Sequence, residues 1–362
     1  SKRMSVSIDK AKEVRKGEGI DAELLSAYLA KAFDKPEGEV AIKQFPSGFS
    51  NLTYLRTFAE KEYVLRRPPF GANIKSGHDM SREYTILSAL NGTYDKAPKP
   101  ILFEKEAGVL DAPFYLMERV QGTILRAGTP KENLPTPAQF QSLANNFVDT
   151  LVELHQLDYN DIGLENLGNP EGYSKRQVEG WSKRYQKSKT SEVVAMEKTA
   201  LWLQENIPSG SRASLVHNDF KYDNLVLTPD ENLNIKAVLD WEMTTLGDPL
   251  MDLGTSLGYW VHESDPDFIA QNQLSLTSKP GNPSRGEIVS LYEQKSGKTV
   301  DNIEFYFVFG VFKIAVIVQQ IYYRYTLGHT KDPRFKDLNQ IVELYGTLAQ
   351  QAIQKKKIDN LF

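Results

Sequence analysis

The spacing of hydrophobic positions changes twice along the chain. Over residues 21–33 they recur at helical intervals, with Leu24, Leu25, Tyr28, Leu29 and Phe33 on one face and Asp21 placed as the cap. The texture then shifts to short runs rich in β-branched and aromatic residues, at 40–44, 52–58 and 63–67, parted by 45–51 and by Glu60-Lys61. These runs predict an antiparallel three-stranded meander. A helix over 79–90 and two further strands, over 101–104 and 112–119, are expected next.

Beyond Gly122 the period becomes helical. Thr136 followed by Pro137 marks a helix start, and Phe140, Leu143, Phe147, Leu151 and Leu154 share its apolar face. Further helices are expected over 174–187, 192–206, 285–295, 303–325 and 335–355. One β-like island, 225–227 and 235–239 around the turn 228–232, reads as a hairpin. The pattern predicts an α+β chain with a small antiparallel-sheet lobe over 1–116, a connector over 117–122 and a large helical lobe over 123–362.

At 362 residues the chain exceeds what one hydrophobic core usually serves, in keeping with two lobes. Lys and Arg number 43 against 47 Asp and Glu, a net charge of −4, so a nucleic-acid partner is not expected. There is no cysteine, which excludes disulfides, thiolate metal sites and cysteine nucleophiles. The five histidines are scattered and form no HExxH pair. Residues 1–16 are charged and lack an apolar segment, so no secretory leader is expected there. The most apolar stretch, 305–318, is interrupted by Lys313 and predicts a buried helix and not a membrane span. A cytoplasmic protein with no membrane partner is expected.

The chemistry concentrates in His217-Asn-Asp-Phe-Lys-Tyr-Asp-Asn224, followed by the hairpin and then Asp240-Trp-Glu242. Asn224 stands at the entry to one hairpin strand and Asp240 at the exit of its antiparallel partner, so two oxygen ligands come side by side at one end. Carboxylate and carboxamide oxygens suit Mg²⁺, which shares its remaining positions with phosphates and waters. Asp219, in the loop just ahead, can accept a proton from a hydroxyl. Lys221 adds a positive charge where a transferring phosphoryl group needs one.

With these residues the sequence resembles the aminoglycoside phosphotransferase and choline kinase family, which has a protein-kinase-like two-lobed fold. The octapeptide 217–224 is similar to that family's catalytic loop, Leu239–Glu242 to its metal-binding segment, and Gly247-Asp248-Pro249 with Asp252 to the signature that follows. The resemblance implies an ATP- and Mg²⁺-dependent phosphotransferase acting on a small-molecule hydroxyl. Asp219 would be the catalytic base and Asn224 and Asp240 the Mg²⁺ ligands. His217, Asp248 and Asp252 would support the loop, and Glu242 has no single assignment. In the first lobe, Ser47, Gly48, Phe49, Ser50 and Asn51 occupy the place of the phosphate-covering loop. Arg66 stands where such kinases carry a strand lysine, Arg67 competes for that role, and Glu83 matches its helix partner. Alternation along a strand sends Arg66 and Arg67 to opposite faces. Met117, Glu118 and Val120 would line the adenine pocket at the hinge.

Three segments, 172–181, 64–69 and 322–325, resemble more closely the kinase-like domain fused to some acyl-CoA dehydrogenases. That likeness implies a hydroxylated acyl-CoA as acceptor. The run 173–189 carries six Lys and Arg against one Glu, so Arg176, Trp181 and Arg184, with Arg324, are candidates for the acceptor side. The rival readings are a catalytically weak nucleotide-binding pseudokinase, an aminoglycoside- or choline-type kinase, a protein kinase and a metal-dependent hydrolase.

Overall fold

A computed structural model describes residues 13–14, 19–35, 41–44, 52–58, 61–69, 74–209, 212–270 and 276–362. Helix α1 (Ala22–Ala32) begins where Asp21 accepts the backbone N–H groups of Glu23 and Leu24, which satisfies two of the donors a helix start leaves free. Strands β1 (Ala41–Gln44), β2 (Leu52–Phe58) and β3 (Lys61–Arg67), helix α2 (Ile74–Leu90), and strands β4 (Pro100–Glu104) and β5 (Phe114–Glu118) follow. All five strands form one antiparallel sheet in the order β1-β2-β3-β5-β4. Helix α2 starts five residues ahead of the expected 79, because Ser76, Gly77 and His78 are weak helix formers that hid its first turn.

The period-2 alternation of β3 divides the core of this lobe. Leu65 packs with Leu116, Phe114 and the α1 residues Leu25 and Leu29, whereas Val64 packs with Met117, Tyr115 and Met80 on the other face. The second face looks toward the helical lobe and belongs to its large apolar cluster.

In the helical lobe, α3 (Pro137–His155) opens with a capping box: Thr136 and Gln139 each accept the other's backbone N–H. Helices α4 (Tyr173–Ser188) and α5 (Val194–Glu205) precede the strands β6 (Ser214–Val216), β7 (Leu225–Leu227), β8 (Ile235–Val238) and β9 (Thr245–Gly247). Helices α6 (Pro249–Gly258), α7 (Asp267–Ala270), α8 (Arg285–Ser296), α9 (Ile303–Thr326) and α10 (Leu338–Lys355) complete the chain. Strand β6 pairs with β9, and β7 with β8. The connector docks onto the second pair, with Thr123 and Leu227 exchanging backbone hydrogen bonds of 2.9 and 2.8 Å. Only glycine fits beside that contact, since a Cβ on Gly122 would lie 2.4 Å from the Leu227 carbonyl oxygen.

The sequence pattern did not reveal α6, and the reason is its burial on every side, which leaves no polar face to set a helical period. It crosses α9 backbone to backbone, where a Cβ on Gly310 would stand 2.0 Å from the Gly254 carbonyl oxygen. Among the described residues α9 alone is long and apolar enough to cross a membrane, and most of it is buried against its neighbours.

Candidate active site

The loop between β6 and β7 is held mainly by Asp252 of α6. This fully buried carboxylate accepts the backbone N–H of His217 (2.9 Å) and of Asn218 (2.8 Å), and it also meets His155 Nε2 at 2.8 Å. Burial alone would raise Asp252, but the hydrogen bond and charge of His155 and the loop N–H hold it below the usual carboxylate range. Asp248 serves α6 itself: it accepts the N–H of Leu250 at 2.9 Å and the hydroxyl of Tyr306 at 2.7 Å. It caps the helix that carries Asp252 and ties it to α9.

His217 is a crosspiece. Its Nδ1 accepts the N–H of Asp219 (3.1 Å) and its Nε2 donates to the carbonyl of Leu239 (2.8 Å), which selects the neutral Nε2–H tautomer. The loop is thereby joined to the segment bearing Asp240. Asn218 sits in the left-handed region at φ 71°, with Nδ2 donating to Tyr173 Oη and to the Met243 carbonyl, both at 3.0 Å.

Asp219 stands at the centre. Its Oδ2 accepts Asn224 Nδ2 (3.1 Å), its Oδ1 accepts the Tyr259 hydroxyl (3.2 Å), and Lys221 Nζ lies 3.8 Å away. Burial would raise this carboxyl, yet the charges of Lys221 and Lys313 and the Asn224 amide keep it below the ordinary value. Asp219 is therefore ionised at neutral pH and able to accept a proton. Burial works against the charge on Lys221, but Asp219, Tyr259 and Asp223 hold its ammonium form, and Nζ lies 4.4 Å from the Tyr259 ring centre.

Asn224 and Asp240 flank the open end of the β7–β8 hairpin, which closes through the Leu225–Val238 pair and a 2.8 Å bond from Leu239 N–H to the Asn224 carbonyl. Asp240 occupies the left-handed region at φ 63°. Its Oδ1 is buried without a hydrogen-bond partner, 3.6 Å from Arg66 Nη2. An unsatisfied buried carboxylate oxygen beside a carboxamide, whose nitrogen is turned to Asp219, fits a hard divalent cation. Among the described residues no three His, Cys, Asp or Glu side chains cluster as a metal cage.

From the sheet, Arg66 reaches Glu83 Oε1 of α2 at 3.4 Å, and the Tyr115 hydroxyl donates to the same oxygen at 3.0 Å. Burial opposes the Arg66 charge, but Glu83, Tyr115, Asp240 and Glu242 keep the guanidinium firmly protonated. Burial raises Glu83, with Arg66 pulling it back. Arg67 points to the opposite face, bonded to the carbonyls of Pro68 (2.9 Å) and Leu110 (2.7 Å). Of the two arginines, Arg66 enters the cleft. Ser47, Gly48, Phe49, Ser50 and Asn51 lie outside the described residues.

At the hinge, Met117 pairs with Val64 on the cleft face. The N–H of Glu118 donates to the Lys99 carbonyl at 2.9 Å, which removes it from the groups that can meet a base. Val120 follows the strand in the connector. On the acceptor side the candidates separate. Trp181 is buried, with the Arg184 guanidinium 4.4 Å from its ring centre and Lys313 Nζ 5.6 Å from it. Arg176 folds back onto the carbonyls of Asn169 and Glu171. Arg324 is exposed near the end of α9, about 16 Å along the helix from Lys313 at 1.5 Å per residue. Sequence reasoning missed Asp223, Tyr259 and Lys313. Two had a visible signal: Asp223 lies inside the octapeptide 217–224, and Lys313 is the one charge inside an apolar run.

Two lobes joined by a connector, with an acid, an amide and a second acid at one hairpin end, define a protein-kinase-like phosphotransferase fold. A model of the phosphotransferase enzyme family (APH) matches residues 41–285, and the chain belongs to that family. It is 34% identical over 347 residues to acyl-CoA dehydrogenase family member 11 of Homo sapiens, covering 93% of this chain and 43% of that protein. The chain thus spans less than half the length of the curated relatives it matches. A putative aminoglycoside phosphotransferase from Ralstonia eutropha superposes with a TM-score of 0.76 at 29% identity, covering 93% of this chain and 99% of its own. Choline kinase from Cryptosporidium parvum shares the fold, at a TM-score of 0.61 and 13% identity over 94% of this chain and 98% of its own.

Proposed function

We propose that this chain moves the γ-phosphoryl group of ATP onto a hydroxyl of a small molecule, in an Mg²⁺-dependent reaction, with a hydroxyacyl-CoA as acceptor. The observation that carries the reading is the convergence of Asp219, Asn224, Asp240 and the Arg66–Glu83 pair on one cleft. Asp219 takes the proton of the acceptor hydroxyl as the oxygen attacks phosphorus. Lys221, held beside it, offsets negative charge on the transferring group. Arg66, anchored by Glu83, grips the phosphates from the sheet side. Asn224 and Asp240 would hold Mg²⁺, which when bound neutralises charge on the β- and γ-phosphates. Membership of the phosphotransferase family supports the reaction class. The acyl-CoA acceptor is supported by the names of the relatives and by the cationic helix α4, where Arg184 lies over Trp181 while Arg176 is tied back to backbone carbonyls.

The test is ADP formation by the purified protein with Mg·ATP and, in turn, a 3-hydroxyacyl-CoA, choline and an aminoglycoside, each repeated with Asp219→Ala. Acceptor-dependent ADP that disappears in the variant supports the proposal, and the acceptor that gives it names the class. No Asp219-dependent ADP with any of them would leave a nucleotide-binding pseudokinase.

A further inference from the structure

In the buried part of α9 one side chain carries a charge. Lys313 is 2% exposed, and its Nζ donates to the carbonyl oxygen of Asn218 at 2.6 Å. Burying an ammonium group on an apolar helix is costly, and an aliphatic residue would fill the position without that cost. The carbonyl it holds is the first atom pair of the peptide leading into Asp219. Every other polar group of Asn218 is also fixed: the N–H by Asp252, the side chain by Tyr173 and Met243. Lys313 supplies the remaining restraint on a residue held at φ 71°.

We propose that Lys313 is a positioning residue for phosphoryl transfer, its ammonium group fixing the Asn218–Asp219 peptide plane and so the aim of Asp219. The inference rests on Asp219 acting as the base. The charged groups that face Lys313 are Asp219 and Lys221 of the loop, Asp252 of α6 and Arg184 of α4, with the Trp181 ring alongside. Burial lowers Lys313 to about 8, against the pull of Asp219 and Asp252. The ammonium form therefore prevails at neutral pH and is lost in mild alkali, where a neutral amine donates a weaker bond.

Wild type, Lys313→Arg and Lys313→Met are compared for Mg·ATP turnover, with water as the acceptor, from about pH 6 to about pH 9.5. Wild-type kcat should fall on the alkaline side near pH 8, and Lys313→Arg, which keeps its charge, should lack that limb. In Lys313→Met kcat at neutral pH should drop about tenfold, the scale of one charge-assisted hydrogen bond, with KM for ATP unchanged. A flat wild-type profile, or wild-type kcat in a folded Lys313→Met, overturns the proposal. Turnover equal in wild type and Asp219→Asn, with each acceptor of the test above as with water, would sink the phosphotransferase reading instead. Lys313 is then judged by side-chain NMR and by hydrogen exchange at 217–219. A lysine titrating near 8 that vanishes in Lys313→Arg, with loop protection lost in Lys313→Met, supports it. Absence of either overturns it.

Discussion

Replacing Asp252 with asparagine tests the brace under the loop 217–224 with little change in shape. Three donors converge on this carboxylate: the N–H groups of His217 and Asn218 and His155 Nε2. An amide offers one accepting oxygen where the carboxylate has two, so in either orientation its NH₂ confronts a buried N–H. A buried donor without an acceptor costs about 1–3 kcal/mol, and the surviving bonds lose their charge assistance, for a total of about 3–4 kcal/mol. The pH dependence fixes the sign. The folded-state pKa of Asp252 lies below its ordinary value, so its stabilisation is complete above the unfolded pKa and is lost as pH falls through the folded one. Asparagine does not titrate. The stability gap between wild type and Asp252→Asn should be full at neutral pH and narrow below about pH 4, the ordinary aspartate range. Urea denaturation followed by tryptophan fluorescence, at neutral pH and in acid, measures both. A variant with the wild-type midpoint at neutral pH, or a gap that widens in acid, would refute this account of Asp252.

Asp219→Asn should lower phosphoryl transfer by about 10² or more, the usual scale of a lost general base, while nucleotide affinity stays nearly intact. A fully active variant removes Asp219 from the mechanism. Asp240→Ala should weaken Mg·ATP binding in calorimetry, because Asp240 would hold the cation that offsets charge on the nucleotide phosphates; equal affinities would exclude Asp240 as a ligand. Gly310→Ala forces a Cβ to 2.0 Å from the Gly254 carbonyl oxygen, so α6 and α9 must part, at a cost of about 1–3 kcal/mol or more by overpacking. An unchanged melting temperature would mean that this crossing is not close-packed.

The two-lobed plan was legible because its elements announce themselves locally. Residues 52–58 show β-rich texture, Thr136-Pro137 shows a helix start, and the turn 228–232 separates two short apolar strands. The candidate site was legible for the same reason: its loop and hairpin are close in sequence, and antiparallel pairing alone sets Asn224 beside Asp240. What stayed hidden depends on distant contacts. Tyr259 reaches Asp219 from the end of a helix whose burial on all sides erased its period. Lys313 meets Asn218 across 95 residues, so its charge stands out in an apolar run while its partner stays hidden. The choice between Arg66 and Arg67 shows the boundary well. Alternation sends them to opposite faces, but which face is the cleft follows only from the packing of Leu65 under α1.

Arg66 links the two lobes through a balance of charges. It lies 3.4 Å from Glu83 of its own lobe and 3.6 Å from Asp240 of the other. At the effective dielectric of a partly buried site, each attraction is worth about 4–5 kcal/mol before desolvation, so neither carboxylate dominates. Glu83 keeps its hold through the Tyr115 hydroxyl, which fixes the same oxygen from β5. Asp240 has no such donor on Oδ1. Were Asp240 to hold a divalent cation, Arg66 would lose that oxygen as its partner. Arg66 would then turn to Glu83 and to the negative charge the cation brings with it, the nucleotide phosphates. On this reasoning the arginine that replaces the usual strand lysine is suited to its place. It has five donors where lysine has three, enough to keep Glu83 while exchanging one anionic partner for another.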